Sequence, residues 1–159
     1  MPRFELRTAI DAPPGRVFDL ARSIDLHTVS MGAHHETAVD GVTTGLIGMG
    51  ESVTWQARHF FVTFRVTSKI TAFDRPRHFR DEMTSGPFTR FAHDHYFEPS
   101  DDGTVMRDVF DYKSPLGIFG ALADALFLQR HMVRLLEERN VVAKRVAESA
   151  DWRRYLPQT

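Results

Sequence analysis

The sequence holds no cysteine among its 159 residues. That absence excludes structural disulfides, thiol nucleophiles and every cysteine-based zinc site. It fits a reducing compartment, and a cytoplasmic location is expected. Lysine is nearly absent, at three residues, yet the 20 basic and 21 acidic side chains balance to a formal net charge of −1. A chain without excess of either sign has no field to draw in nucleic acid or an anionic membrane surface. Long apolar runs are missing too. The longest, Leu116 to Leu128, is interrupted by Asp124 and is too short to cross a bilayer. No integral membrane association is expected. From Arg3 onward charged and apolar residues alternate, so no signal peptide is expected either.

What the chain has instead is phenylalanine: 13 residues, against three Tyr and two Trp. Phe carries no polar tip, so it suits a large core or the wall of an apolar pocket. The length suits one domain, expected over residues 1–150, with 151–159 as a poorly ordered tail pinned by Trp152 and Tyr155.

Residues 3 to 11 alternate, with Phe4, Leu6, Thr8 and Ile10 on one face, which predicts a half-buried strand. Ala12-Pro13-Pro14 breaks it, and two short helices should follow, the second capped by Asp25. From Ala33 to Tyr112 the period is mostly two. Strands are predicted at His34 to Asp40, Gly50 to His59, Phe61 to Phe73, His78 to Ser85, Phe88 to Glu98 and Thr104 to Lys113. Turn signals separate them at Asp74-Arg75-Pro76, Gly86-Pro87 and Asp101-Asp102-Gly103. Four glycines between Gly41 and Gly50 predict a mobile connection. After Pro115 the period becomes helical, with a broad apolar face through Ile118, Leu122, Leu126, Met132, Leu135, Leu136, Val142 and Val146. The reading is an α+β domain: a seven-stranded antiparallel sheet, curved by its own twist, whose concave side is covered by a long C-terminal helix.

Several local patterns lie in a characteristic order. They are Ile10-Asp11-Ala12-Pro13 before Val17-Phe18, Ile70-Thr71-Ala72-Phe73-Asp74-Arg75-Pro76 with Phe79, His93-Asp94-His95-Tyr96-Phe97, and Pro115-Leu116-Gly117. Together, across roughly residues 4 to 148, they resemble the SRPBCC or START-like helix-grip superfamily, which includes the polyketide cyclase/dehydrase and lipid-transport family. The resemblance implies a cavity between sheet and helix. It also implies relatives as different as lipid carriers, polyketide binders and aromatase/cyclases, so it points to a shared cavity more than to one reaction.

Alternation on the strands places the polar candidates. Phe91, His93, His95 and Phe97 share a face, as do Met106, Asp108, Phe110 and Tyr112. Phe79, Asp81 and Met83 form a third such set, and Glu51, Val53, Trp55 and Ala57 a fourth. With their charged alternates turned to solvent, these sets should face the cavity. The expected ligand-binding residues are Glu51, Trp55, Phe64, Asp81, Met83, Phe91, His93, His95, Phe97, Asp108, Phe110, Tyr112, Leu122 and Leu126. An inward Asp opposite a His would fix its tautomer and favour its charged form.

Three readings of the polar group compete: a self-satisfied buried network, ligand orientation, and acid–base or metal chemistry. His93, His95 and Asp108 are the catalytic candidates. His-x-His is a usable metal spacing, but no further histidine has a place beside it, and neither metal nor cofactor is expected. In His34-His35-Glu36 only His34 and Glu36 share a strand face, which reads as a polar edge. The favoured function is binding or transport of a hydrophobic small molecule. The alternatives are a cyclase/dehydrase-type enzyme and a protein-interaction module, including a homo-oligomer formed through sheet edges.

Overall fold

The computed structural model describes residues 3–59, 61–114 and 127–157. Seven strands form one antiparallel sheet: β1 (Arg3–Ile10), β2 (Thr37–Gly41), β3 (Ser52–His59), β4 (Val62–Asp74), β5 (His78–Ser85), β6 (Arg90–Ser100) and β7 (Gly103–Lys113). Their order is β1-β7-β6-β5-β4-β3-β2. Consecutive strands from β2 to β7 are neighbours, and β1 closes the far side against β7. Two short helices, α1 (Pro14–Ala21) and α2 (Ile24–Ser30), connect the two edge strands. The 20-residue helix α3 (Gln129–Glu148) packs against β1, α1 and α2. This is the helix-grip arrangement. Leu122 and Leu126, expected on the same helix, lie outside the described residues.

Local chemistry explains the joints. Pro14 occupies the first turn of α1, where a missing N–H costs nothing. Ser23 caps α2 by accepting from Leu26 N at 3.3 Å, in place of the expected Asp25. Asp25 instead accepts from Gly45 N at 2.9 Å. Further bonds hold the glycine-rich connection. Ile24 N donates to Gly45 O (2.9 Å) and Ile47 N to Arg22 O (3.2 Å), and the Ile47 side chain is buried. The segment is thus anchored to the α1–α2 corner. Gly103 has φ +139°, and a Cβ there would meet Ile10 O and Ala12 N, so the β6–β7 turn can lie against the end of β1 only with glycine.

The described core has two apolar layers. One gathers Ile10, Phe18, Ile70, Phe79, Phe97, Met106 and Val146 with their neighbours, and the other Phe4, Phe91, Phe110, Tyr112 and Leu136. Phe18 is fully buried and meets Phe73, Phe79 and Phe97 edge-on at 5.2–5.4 Å. Truncating it to alanine should cost about 3–5 kcal/mol. Trp152, Tyr155 and Leu156 pack against the same layer. The segment expected as a poorly ordered tail instead forms a short 3-10 turn, Ala150–Arg154, seated on the core.

Candidate functional site

Between the two apolar layers runs a narrow belt of polar side chains. On β7 the inward sequence is Tyr112, Phe110, Asp108, Met106, and on β6 it is Phe91, His93, His95, Phe97. On β5 it is Met83, Asp81, Phe79, on β4 Val66, Ser68, Ile70, and on β1 Leu6, Thr8, Ile10. Neighbouring strands bring their polar residues within one pair of each other: the register sets Asp81 opposite His93 and His95 opposite Asp108, while Thr8 lies opposite Met106 and Ser68 opposite Met83, one pair away. On α3 the level falls at Arg139 and Asn140, between Leu136 and Val142. A belt of this kind must satisfy itself or bind something, since an unpaired buried polar group costs about 1–3 kcal/mol.

Asp108 is its centre, with a fully buried side chain. Its Oδ1 accepts from Arg139 Nη2 at 2.7 Å and lies 3.0 Å from His93 Nε2, while Oδ2 accepts from Asn140 Nδ2 at 2.7 Å. Arg139 Nε and Nη2 also donate to Asn140 Oδ1, at 3.2 and 3.0 Å. His95 Nε2 and Asp81 Oδ1 are 3.0 Å apart. His95 Nδ1 comes within 3.1 Å of Asp108 Oδ1, close enough for ionic attraction but off a hydrogen-bonding direction. The His93 and His95 rings lie 3.8 Å apart, and Phe79 stacks on His95 at 4.2 Å.

Burial and neighbours divide the two histidines. Desolvation, helped by the nearby His95, pushes the His93 pKa down to about 4, so His93 is neutral near pH 7. Desolvation also acts on His95, but its contacts with Asp108 and Asp81 outweigh it and raise the pKa above the ordinary histidine value. Burial opposes ionisation of Asp108, yet Arg139 and the two imidazoles hold its carboxyl well below the usual range. Asp81 is likewise lowered, with the His95 hydrogen bond and the nearby positive charges together outweighing burial. With His95 charged, two carboxylates face one guanidinium and one imidazolium, and the belt is neutral as a whole.

Two cavities meet at this belt. The larger, about 330 Å³, is walled by Phe64, Val66, Phe88, Phe91, Phe110, Leu128, Met132, Leu135 and Leu136. The smaller, about 80 Å³, lies toward Ile24, Ile47, Ile70 and Phe79. His27, Trp55, Ser68, Asp81, His93 and Arg139 border both. His27 stacks on Trp55 at 4.1 Å and pairs with Glu36 at 2.6 Å.

Of the residues predicted for the site, Trp55, Phe64, Asp81, Phe91, His93, His95 and Phe110 line one or both cavities. Phe97, Asp108 and Tyr112 are buried behind that lining, and Met83 packs beside it in the second apolar layer. Glu51 must be corrected. It is exposed, precedes β3, and accepts from Gly48 N at 2.7 Å, closing the loop instead of facing a cavity. His34 and Glu36 do not cooperate, because His34 sits in a 3-10 turn and bonds Glu138 at 3.1 Å. Asp94, expected in solvent, is covered on the outer face by Arg80 and His78, which bond it at 2.7–2.9 Å. Arg139, Asn140 and His27 were missed. The helical stripe Met132-Leu135-Leu136 predicts positions 139 and 140 on the same face, so the signal was present as two polar residues on an apolar stripe.

The model of the family described as polyketide cyclase / dehydrase and lipid transport matches residues 1–156. The chain belongs to that family. Solved structures of the same fold include TTHA0849 from Thermus thermophilus, at TM-score 0.71 and 22% identity over 89% of this chain and 97% of that one. The di-domain ARO/CYC BexL of the BE-7585A biosynthetic pathway aligns at TM-score 0.74 and 18% identity, over 93% of this chain and 50% of BexL. Ginseng major latex-like protein 151 from Panax ginseng aligns at TM-score 0.67 and 13% identity, over 93% and 98%. At these identities the likeness is one of fold. No curated protein matches the sequence. Among the described residues no helix is long and apolar enough to cross a membrane.

Proposed function

We propose that the protein binds, and in that sense carries, one hydrophobic small molecule: a compact lipid, a polyketide or a fused aromatic compound. The observation that carries this reading is the 330 Å³ cavity, whose wall is mostly aliphatic and aromatic, with polar groups at the belt and at His27, Glu36 and His131. Sites for small molecules combine an apolar wall of about this size with a few convergent polar groups. The apolar body of the ligand would lie against Phe91, Phe110 and Leu136. Its polar head would meet Asp81, His93 and Arg139, which offer a carboxylate, a neutral imidazole and a guanidinium at one point. Membership of a family described by both cyclase/dehydrase chemistry and lipid transport is consistent with such a ligand.

A cyclase or dehydrase using cavity His and Asp as acid and base is the second reading, favoured by the His93–Asp108 pair. It is the weaker one. A general base works best with a pKa near the operating pH, and His93, held near 4, is a poor proton acceptor at neutrality. Native mass spectrometry of the purified protein, followed by organic extraction, tests the binding reading. A stoichiometric lipid or aromatic compound is expected. A protein that arrives empty and shows no mass shift with fatty acids, sterols or aromatic polyketides overturns it.

A further inference from the structure

We propose that Asp81, His93 and His95 form a site for one divalent transition-metal cation, bound through Asp81 Oδ1, His93 Nδ1 and His95 Nε2. The three residues each bring a donor atom within 4.8 Å of the others. Asp81 Oδ1 lies 3.0 Å from His95 Nε2 and 3.9 Å from His93 Nδ1. Ligands about 2.1 Å from a common tetrahedral cation are about 3–3.5 Å apart, so the two Asp81 spacings need shifts of about half an ångström or less, and the two histidines must close from a separation of at most 4.8 Å. The strand register builds the set: Asp81 is directly opposite His93 and diagonal to His95. Sequence alternation alone turns both histidines, Asp81 and Asp108 inward, and the register decides which carboxylate completes the set.

The far side of the His93 ring supports the assignment. Metal-bound histidines usually anchor their other nitrogen on a carboxylate, which fixes ring orientation and tautomer. Asp108 Oδ1 anchors His93 Nε2 in this way at 3.0 Å, while His95 Nδ1, 3.1 Å from the same oxygen, is off a hydrogen-bonding direction. With His93 Nε2 protonated toward Asp108, the lone pair of His93 Nδ1 is left toward Asp81, and His95 Nε2 already lies 3.0 Å from Asp81 Oδ1. In the metal-free protein a proton on His95 Nε2 bridges to Asp81. The cation takes that proton's place.

Arg139 does not compete for Asp81 in this arrangement, since its guanidinium is bound to Asp108 and Asn140. Two imidazoles and one carboxylate are borderline donors that suit Zn²⁺ and neighbouring first-row cations more than Ca²⁺ or Mg²⁺. Asp81 and His93 border both cavities, so the open coordination position faces the space a ligand would enter. A cation there would accept a ligand oxygen or a water.

The test needs no organic ligand, so its failure and that of the binding reading are separate results. Full-length protein, stripped with a chelator, is titrated with Zn²⁺ by calorimetry and with Co²⁺ by visible absorption. One equivalent should bind, with the d–d bands of a nitrogen- and oxygen-ligated Co²⁺ site. Asp81→Asn and His93→Ala should each weaken binding by at least tenfold, and Asp108→Asn by about ten- to a hundredfold. Asp81 is the safest variant, because its side chain is 19% exposed and its neighbours keep their packing. Thermal melting verifies that it is folded. A folded wild-type protein that takes up no stoichiometric cation overturns the proposal, as does binding unchanged in Asp81→Asn and His93→Ala.

Discussion

Arg139 on α3 reaches Asp108 on β7 at 2.7 Å, and this ion pair ties the helix to the sheet in the middle of the core. Its side chains are 13% and 0% exposed. A buried pair of this kind contributes little over an apolar replacement, but losing one partner leaves an unmatched charge in a low dielectric. Arg139→Met should therefore destabilise the fold by about 3–5 kcal/mol. The double variant Arg139→Met, Asp108→Leu should not recover that loss, because it also strips His93 and Asn140 of their buried acceptor. Urea unfolding of the three proteins checks this. A single variant as stable as wild type would mean that Asn140 and the imidazoles alone satisfy Asp108.

The outer face of the sheet gives an acid-dependent counterpart. Asp94 is covered by Arg80 and His78, and although burial acts against its ionisation, those two partners lower its pKa below the unfolded value of 3.8. The unfolded chain therefore takes up this proton first as pH falls. The stabilisation from Asp94 is complete above pH 3.8 and is lost as pH drops through the lower folded value. Asp94→Asn should cost about 2 kcal/mol at pH 7, the scale of hydrogen bonds to a charged group. The gap between variant and wild type should close below pH 3.8. A gap that persists unchanged at lower pH would assign the loss to packing.

Much of this architecture is legible in the sequence. Alternation and turn residues predict His78 to Ser85 as a strand, and the structure has those bounds. They also place His93, His95, Asp81 and Asp108 on inward faces. Two kinds of information are missing. Register between strands decides that Asp81 lies opposite His93, and no single strand carries it. Loop closure decides where a strand begins. Gly50, at φ +79°, and the Gly48–Glu51 bond turn Glu51 out of the alternating set that Val53 and Trp55 continue. Arg139 was hidden for another reason: a stripe traced through apolar residues passes over the polar position that interrupts it.

The cavity wall predicts how binding responds to volume. Met132 is half-buried on α3 and borders the larger cavity. Met132→Trp would fill part of the 330 Å³ and bring one indole N–H with it. Affinity for a bulky apolar probe such as a fused tricyclic should fall at least about tenfold, equivalent to about 1.4 kcal/mol. The melting temperature should change little. Isothermal titration with wild type and variant measures the affinities, and a thermal melt of each checks the fold. Equal affinity in the two proteins would place the probe outside this cavity.

The two tryptophans supply a built-in reporter that separates the site from the rest of the fold. Trp55 borders both cavities and stacks on His27 at 4.1 Å. Trp152 is held elsewhere, with the guanidinium groups of Arg16 and Arg153 4.5 and 4.8 Å from its ring. An apolar molecule entering the larger cavity displaces water from the Trp55 indole and disturbs its stack, while Trp152 keeps its surroundings. Emission should shift to the blue on addition of a fatty acid or another non-absorbing ligand. The shift should survive in Trp152→Phe and disappear in Trp55→Phe. Because His27 also pairs with Glu36 at 2.6 Å, Glu36→Gln should loosen the stack and change the ligand-free spectrum of the Trp152→Phe protein. A blue shift retained in Trp55→Phe would mean that the ligand orders the region around Trp152, and the cavity between sheet and helix would lose its claim as the binding site.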